Sequence, residues 1–157
     1  MSDLRPCLWI DGDIDEAARF YEDAFPDSRI ADIATSPADY PGGKAGDPIT
    51  VDMTIAGTRV MLLAGGTHFA PSAATSLIVI TEDQAETDQA WNAILAKGGQ
   101  PMACGWITDH FGFAWQVTPR RLLDLMADPA TAAAAFAAMQ NMVKIDIAAL
   151  DAAVADA

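Results

Sequence analysis

The chain has 157 residues, 52% of them hydrophobic and 20% charged, which suffices for a packed core without disulfide or metal. Its formal net charge of -13 repels polyanions, so neither nucleic acid nor an anionic membrane is expected as a partner. Two cysteines, no secretory apolar segment behind Met1, and no apolar run near the ~18 residues of a spanning helix point to a cytoplasmic chain.

Pro6 to Ile10 reads as a short buried strand. Asp11-Gly12-Asp13 interrupts it, and Asp13 is an N-cap with Asp15 and Glu16 in the first turn, where the helix dipole favours them. Ile14, Ala17, Ala18, Tyr21, Ala24 and Phe25 recur at helical spacing, and Pro26-Asp27-Ser28 ends the helix. Arg29 to Thr35 is the next strand. Ser36 to Asp47 is a loop by its prolines and glycines; its Gly42-Gly43-Lys44-Ala45-Gly46 run lacks the Gly-Lys-Ser/Thr ending of a phosphate cradle. Ile49–Ile55 and Thr58–Leu63 are strands joined by a tight hairpin at Ala56-Gly57.

A second loop, Gly65 to Pro71, carries His68. Thr75 to Thr81 is a strand, and Glu82 to Lys97 a helix closed by Gly98-Gly99, with Trp91, Ile94 and Leu95 inward. Gln100 to Cys104 is read as a strand. Asp109 to Gly112 then forms a hairpin turn between a strand at Trp106 and another running from Phe113 to Thr118. Arg120 to Met126 is a short helix. Asp128-Pro129 reads as the N-cap and first residue of an Ala-rich helix with Phe136, Met139 and Val143 on one stripe, and a last helix runs through Leu150 and Val154. The order strand, helix, three strands therefore occurs twice. One domain over 1–157 is expected, with module one at about 4–66, module two at about 74–119 and a helical extension at about 120–157.

The densest chemistry lies between Trp106 and Pro119. Period-two alternation puts Trp115 and Val117 on one face of the last strand and Gln116 on the other. Gln116 either bonds a ligand or is satisfied by Ser76 or nearby backbone. Trp106 can be a flat wall or core. Asp109 suits an Asx role in the turn, and His110, in the turn itself, is an outside candidate for proton transfer. His68 and Cys104 have no partner base at readable spacing.

The run Ser76-Leu77, Asp88, Trp91, Gly98-Gly99, Cys104-Gly105-Trp106, Asp109, Phe111-Gly112, Trp115-Gln116 and Pro119 resembles the PhnB-like branch of the vicinal oxygen chelate superfamily. Leu8-Trp9, Asp13, Glu16-Ala17, Phe20-Tyr21 and Phe25 to Ser28 are similar to its first strand and helix, and Lys144 to Ile147, Leu150 and Ala152 to its tail. The resemblance implies an α+β fold of paired βαβββ modules, whose sheets curl into a cup in a homodimer. Metal-dependent members hold four ligands there, and the corresponding positions are Pro6, Met61, Ser76 and Gln116. That set suits a divalent metal poorly, so no metal and no cofactor is expected. The branch also carries a demethylubiquinone methyltransferase label, yet no glycine-rich strand-to-helix turn for S-adenosylmethionine is readable.

The expectation is a cup binding a small apolar or aromatic molecule, lined by Leu8, Met61, Ser76, Trp106 and Gln116. His68, Asp109 and His110 are outside candidates. The alternative is an enzyme of the superfamily, a lyase, isomerase or dioxygenase.

Overall fold

The computed structural model describes residues 4–66 and 69–156, and the chain divides into two compact units, 1–71 and 72–157. In the first, β1 (Cys7–Trp9) leads into α1 (Ile14–Ala24), followed by β2 (Arg29–Thr35), β3 (Pro48–Ile55) and β4 (Thr58–Leu63). The sheet order is β1-β4-β3-β2, with β1 parallel to β4 and the other pairs antiparallel. Helix α1 starts where the sequence says it should: the Asp13 carboxylate accepts the Asp15 and Glu16 amides at 2.9 and 3.1 Å, satisfying two of the donors a helix start leaves over. Its buried stripe includes Ile14, Ala17, Ala18 and Tyr21. On the strands, Leu8, Leu62 and Val51 stand in register and are all buried.

The second unit repeats that plan. Strand β5 (Ser76–Thr81), α2 (Gln84–Ala96), β6 (Gln100–Pro101), β7 (Trp106–Thr108) and β8 (Ala114–Pro119) give the order β5-β8-β7-β6, again with the first and last strands parallel. The two sheets have the same connectivity, first strand beside fourth, then third, then second. The doubled βαβββ pattern is therefore real. Val79, Thr81, Trp115, Val117 and Ile107 form the buried side of this sheet, and Ala90, Trp91 and Ile94 are the buried side chains of α2. The hydroxyl of buried Thr81 pairs with that of Thr87 on the helix at 2.6 Å, so both buried hydroxyls are satisfied internally.

Three helices close the chain: α3 (Arg120–Ala127), α4 (Ala132–Met139) and α5 (Ile147–Ala155). They share a core of Leu122, Leu125, Ala135, Ile145 and Leu150, against which Met139, Met142 and Val154 pack. Of the stripe read in the sequence, only Met139 packs on this core, while Phe136 is 44% exposed.

Two expectations need correction. The strand read from Gln100 to Cys104 stops at Pro101. Met102 to Gly105 is a turn: Cys104 and Gly105 have φ of 60° and 80°, and Met102 N–H donates to the Trp106 carbonyl at 2.8 Å. Left-handed backbone cannot continue a strand, and Cys104 consequently shares no strand face with Trp106. The Ala-rich helix is capped at Thr131 rather than Asp128. Asp128 instead folds an Asx turn, its carboxylate accepting the Ala130 amide at 2.9 Å, which delays the helix by a turn. The helix ends at Met139, so Val143 lies beyond its stripe and is 53% exposed.

Candidate functional site

Register assigns the faces of the second sheet. Ile78 pairs with Gln116 and Gln116 with Trp106, so their side chains share one side, together with Ser76, Ile80, Thr108, Ala114 and Thr118. Helix α2 takes the opposite side. The side bearing Gln116 is open: Ile78 is 58% and Ile80 45% exposed, and Trp106, Ser76 and Gln116 are half-buried. At its centre the Gln116 amide donates to the Ser76 hydroxyl at 2.8 Å, bridging the diagonal of the parallel β5/β8 pair. Ser76, Trp106 and Gln116 are thereby brought together. Their bond leaves the amide oxygen of Gln116 and the second lone pair and proton of Ser76 able to meet another molecule.

Asp109 and His110 are not on that face. Asp109, 3% exposed, uses Oδ1 to accept the Phe111 and Phe113 amides at 2.9 and 3.0 Å and Oδ2 to accept the Trp115 indole N–H at 2.8 Å. It is a structural carboxylate that ties the hairpin turn to the core. His110 is exposed on the turn, its ring 3.9 Å from that of Phe111. His68 lies outside the described residues.

In the first unit, Met61 stands opposite Cys7 and Asp52 on the side of the sheet away from the buried row. Arg5 pairs with Asp52 there at 2.6 Å. Leu8 is a correction. At 6% exposure it belongs to the buried row with Leu62, so it cannot line the same side as Met61. Burial pushes the Cys7 thiol up, with the Arg5 charge partly opposing, which disfavours the thiolate a nucleophile needs. A cleft of about 310 Å³ also opens in this unit, lined by Ile10, Asp11, Gly12, Pro41, Gly42, Ala64 and Gly66. No pattern in the sequence announced it, because its lining comes from three separate stretches rich in glycine. Gly65 beside it must be glycine: an added Cβ would stand 2.1 Å from the Trp9 ring, whose indole N–H donates to the Gly66 carbonyl at 2.6 Å.

The donor set does not suit a metal ion. Of the four positions that the resemblance marks, Pro6 offers no side-chain donor, Met61 a soft thioether, and Ser76 and Gln116 only neutral groups, the Ser76 oxygen already accepting from the Gln116 amide nitrogen. Among the described residues no group of three or more His, Cys, Asp or Glu converges. The residues fit S-adenosylmethionine no better. The crossover from β1 to α1 holds a single glycine, Gly12, and that from β5 to α2 holds none, so neither is a glycine-rich cradle.

The family model described as 3-demethylubiquinone-9 3-methyltransferase matches residues 2–118, reaching the last residue but one of β8. The chain belongs to this family. A PhnB protein from Bacillus cereus, which carries the same methyltransferase name, is 27% identical over 75% of this chain and 99% of its own, with a TM-score of 0.66. A protein from Pseudomonas aeruginosa is 19% identical, covering 76% of this chain and 98% of its own at a TM-score of 0.61. The fosfomycin resistance protein FosX from Listeria monocytogenes is 14% identical, covering 73% and 90%, at 0.51. No curated protein matches the chain. The PhnB-like assignment and the glyoxalase/bleomycin-resistance fold, α+β with two mixed sheets, both stand. The match ends at residue 118, so the likeness read in Lys144 to Ala152 falls beyond it.

Proposed function

We propose that this protein binds a small, largely apolar or aromatic molecule on the open side of its second sheet, without a metal. The observation that carries the reading is the Ser76–Gln116 pair set amid half-exposed Ile78, Ile80 and Trp106. Apolar surface supplies the affinity there, and one amide–hydroxyl pair supplies orientation, the usual division of labour in a small-molecule site. An isoleucine left more than half exposed beside a tryptophan is uneconomical in a monomer unless something covers it.

The superfamily alternative, a lyase, isomerase or dioxygenase, needs a proton-transfer group or a metal-holding carboxylate at the reacting atoms. The residues that share this side are Ser, Ile, Ala, Thr, Trp and Gln, none of which titrates near neutral pH. Binding is therefore the better-supported function.

Nile red, neutral, aromatic and carbonyl-bearing, is the probe of choice, because an anionic dye would be repelled by a chain of charge -13. Saturable binding with a blue-shifted emission is expected. Gln116→Leu should weaken it by roughly three- to tenfold, the worth of one hydrogen bond, and Trp106→Ala by at least as much. A titration that never saturates, or that neither substitution alters, would overturn the reading.

A further inference from the structure

The two side chains that define the open face hang from one turn. Trp106 follows Gly105 directly, and the Gly105 carbonyl accepts the amide of Val117, the neighbour of Gln116, at 2.9 Å. The other edge of this turn is held from outside the sheet. Cys104 N–H donates to the Met142 carbonyl at 2.8 Å and Gly105 N–H to the Val143 carbonyl at 2.7 Å. Residues 142–147, running from the segment after α4 to the first residue of α5, therefore lie along the turn like an added strap.

Helix α2 pins the strap in place. The Gln84 amide donates to the Ile145 carbonyl at 3.2 Å while its oxygen accepts the Ile147 N–H at 2.8 Å, reading the strap's backbone with both ends of one side chain. Asp88 accepts a second bond from Gln84 at 2.9 Å and pairs with Lys144. Ile145 is 1% exposed and fills the space a side chain at position 105 would need, since an added Cβ would stand 2.9 Å from its Cγ1. All of this lies past residue 118, where the family model ends, except its anchors Gln84, Asp88 and the turn itself.

We propose that the 142–147 strap positions the ligand-binding face: its docking, held by Gln84 and Lys144, fixes the Cys104–Gly105 turn and with it the placement of Trp106 and Gln116. This rests on the binding function proposed above. Gln84 and Lys144 are positioning residues, acting on the face through the turn. The Gln84 bonds carry more of the effect, because they are made to backbone, whereas the Lys144–Asp88 pair is partly solvated.

The test uses the full-length protein with Lys144→Ala, Gln84→Ala and the double variant, each checked for cooperative melting. Two readouts are taken: hydrogen exchange at the Cys104, Gly105 and Val117 amides, and the Gln116 side-chain amide resonances. Nile red affinity is the third. In the double variant, exchange at Cys104 and Gly105 should accelerate by about tenfold, as expected where docking contacts are lost locally. The Gln116 resonances should shift and Nile red should bind about threefold or more weakly. Lys144→Arg should restore the single variant. Faster exchange with wild-type Gln116 resonances overturns the proposal, leaving the strap a mere brace. If the wild-type protein binds no Nile red, the binding function fails, and the Gln116 resonances alone decide the strap: shifted supports it, unmoved overturns it. Should the double variant not fold, Lys144→Ala gives the same readouts with the same meaning.

Discussion

Asp109 concentrates three donors on one buried carboxylate, two amides from its own turn and the indole of Trp115. Charge-assisted bonds of this kind are stronger than neutral ones, and the low local dielectric makes any of them costly to orphan. Asp109→Ala removes the acceptor of one buried indole N–H and two partly buried amides and should destabilise the protein by roughly 2–4 kcal/mol in urea unfolding. A loss below about 1 kcal/mol would show that water replaces the carboxylate. Its turn role was legible in Asp-His-Phe-Gly, since an Asx acceptor is read from local spacing. The bond to Trp115 was not, because it crosses the hairpin and depends on how the turn closes. Leu8 was misplaced for a related reason. In Cys7-Leu8-Trp9 every residue is apolar, so alternation cannot say which one points into the core; only pairing with β4 decides it.

At the scale of elements, long periodic segments were readable and short irregular ones were not. Helix α1 carries its cap and stripe within its own sequence, and the doubled strand-helix-strand order followed from turn residues. Strand β6, two residues long, has no period to read, and its continuation was hidden by the left-handed Cys104-Gly105 turn held by distant residues. That same attachment responds to pH. Hydrogen bonds from Lys144 and then Gln84 hold the Asp88 carboxyl below its ordinary value of 3.8, against a smaller desolvation effect. A carboxyl depressed in the folded state contributes stability above its unfolded value and loses it as pH falls through the folded one. Protection factors at Cys104 and Gly105 are therefore expected to be level from pH 8 to 5 and to decline below 3.8. Asp88→Asn should remove most of that decline and lower protection at neutral pH. An equal decline in the variant would assign the effect to general acid unfolding instead.

At the scale of the molecule, a charge of -13 and exposed apolar side chains pull in opposite directions. Ile78 and Ile80 on the second sheet and Phe136 at 44% on α4 present apolar surface that a second copy could cover. We propose a homodimer on that basis, and the charge gives the proposal a signature. Two chains of -13 repel each other over distances that salt shortens, from a Debye length of about 30 Å at 0.01 M to about 8 Å at 0.15 M. Apolar contacts do not weaken over the same range. The dimer should therefore tighten as salt rises, the reverse of an interface built on ion pairs. Sedimentation at tens of micromolar protein should show the dimer fraction growing between 0.01 and 0.15 M salt. Native mass spectrometry of the protein as purified adds two checks: it reads the doubled mass directly, and it shows whether each chain carries a divalent ion. One tightly held ion per chain would overturn the metal-free reading of Ser76 and Gln116. A monomer at every salt concentration would leave the exposed isoleucines to a ligand alone.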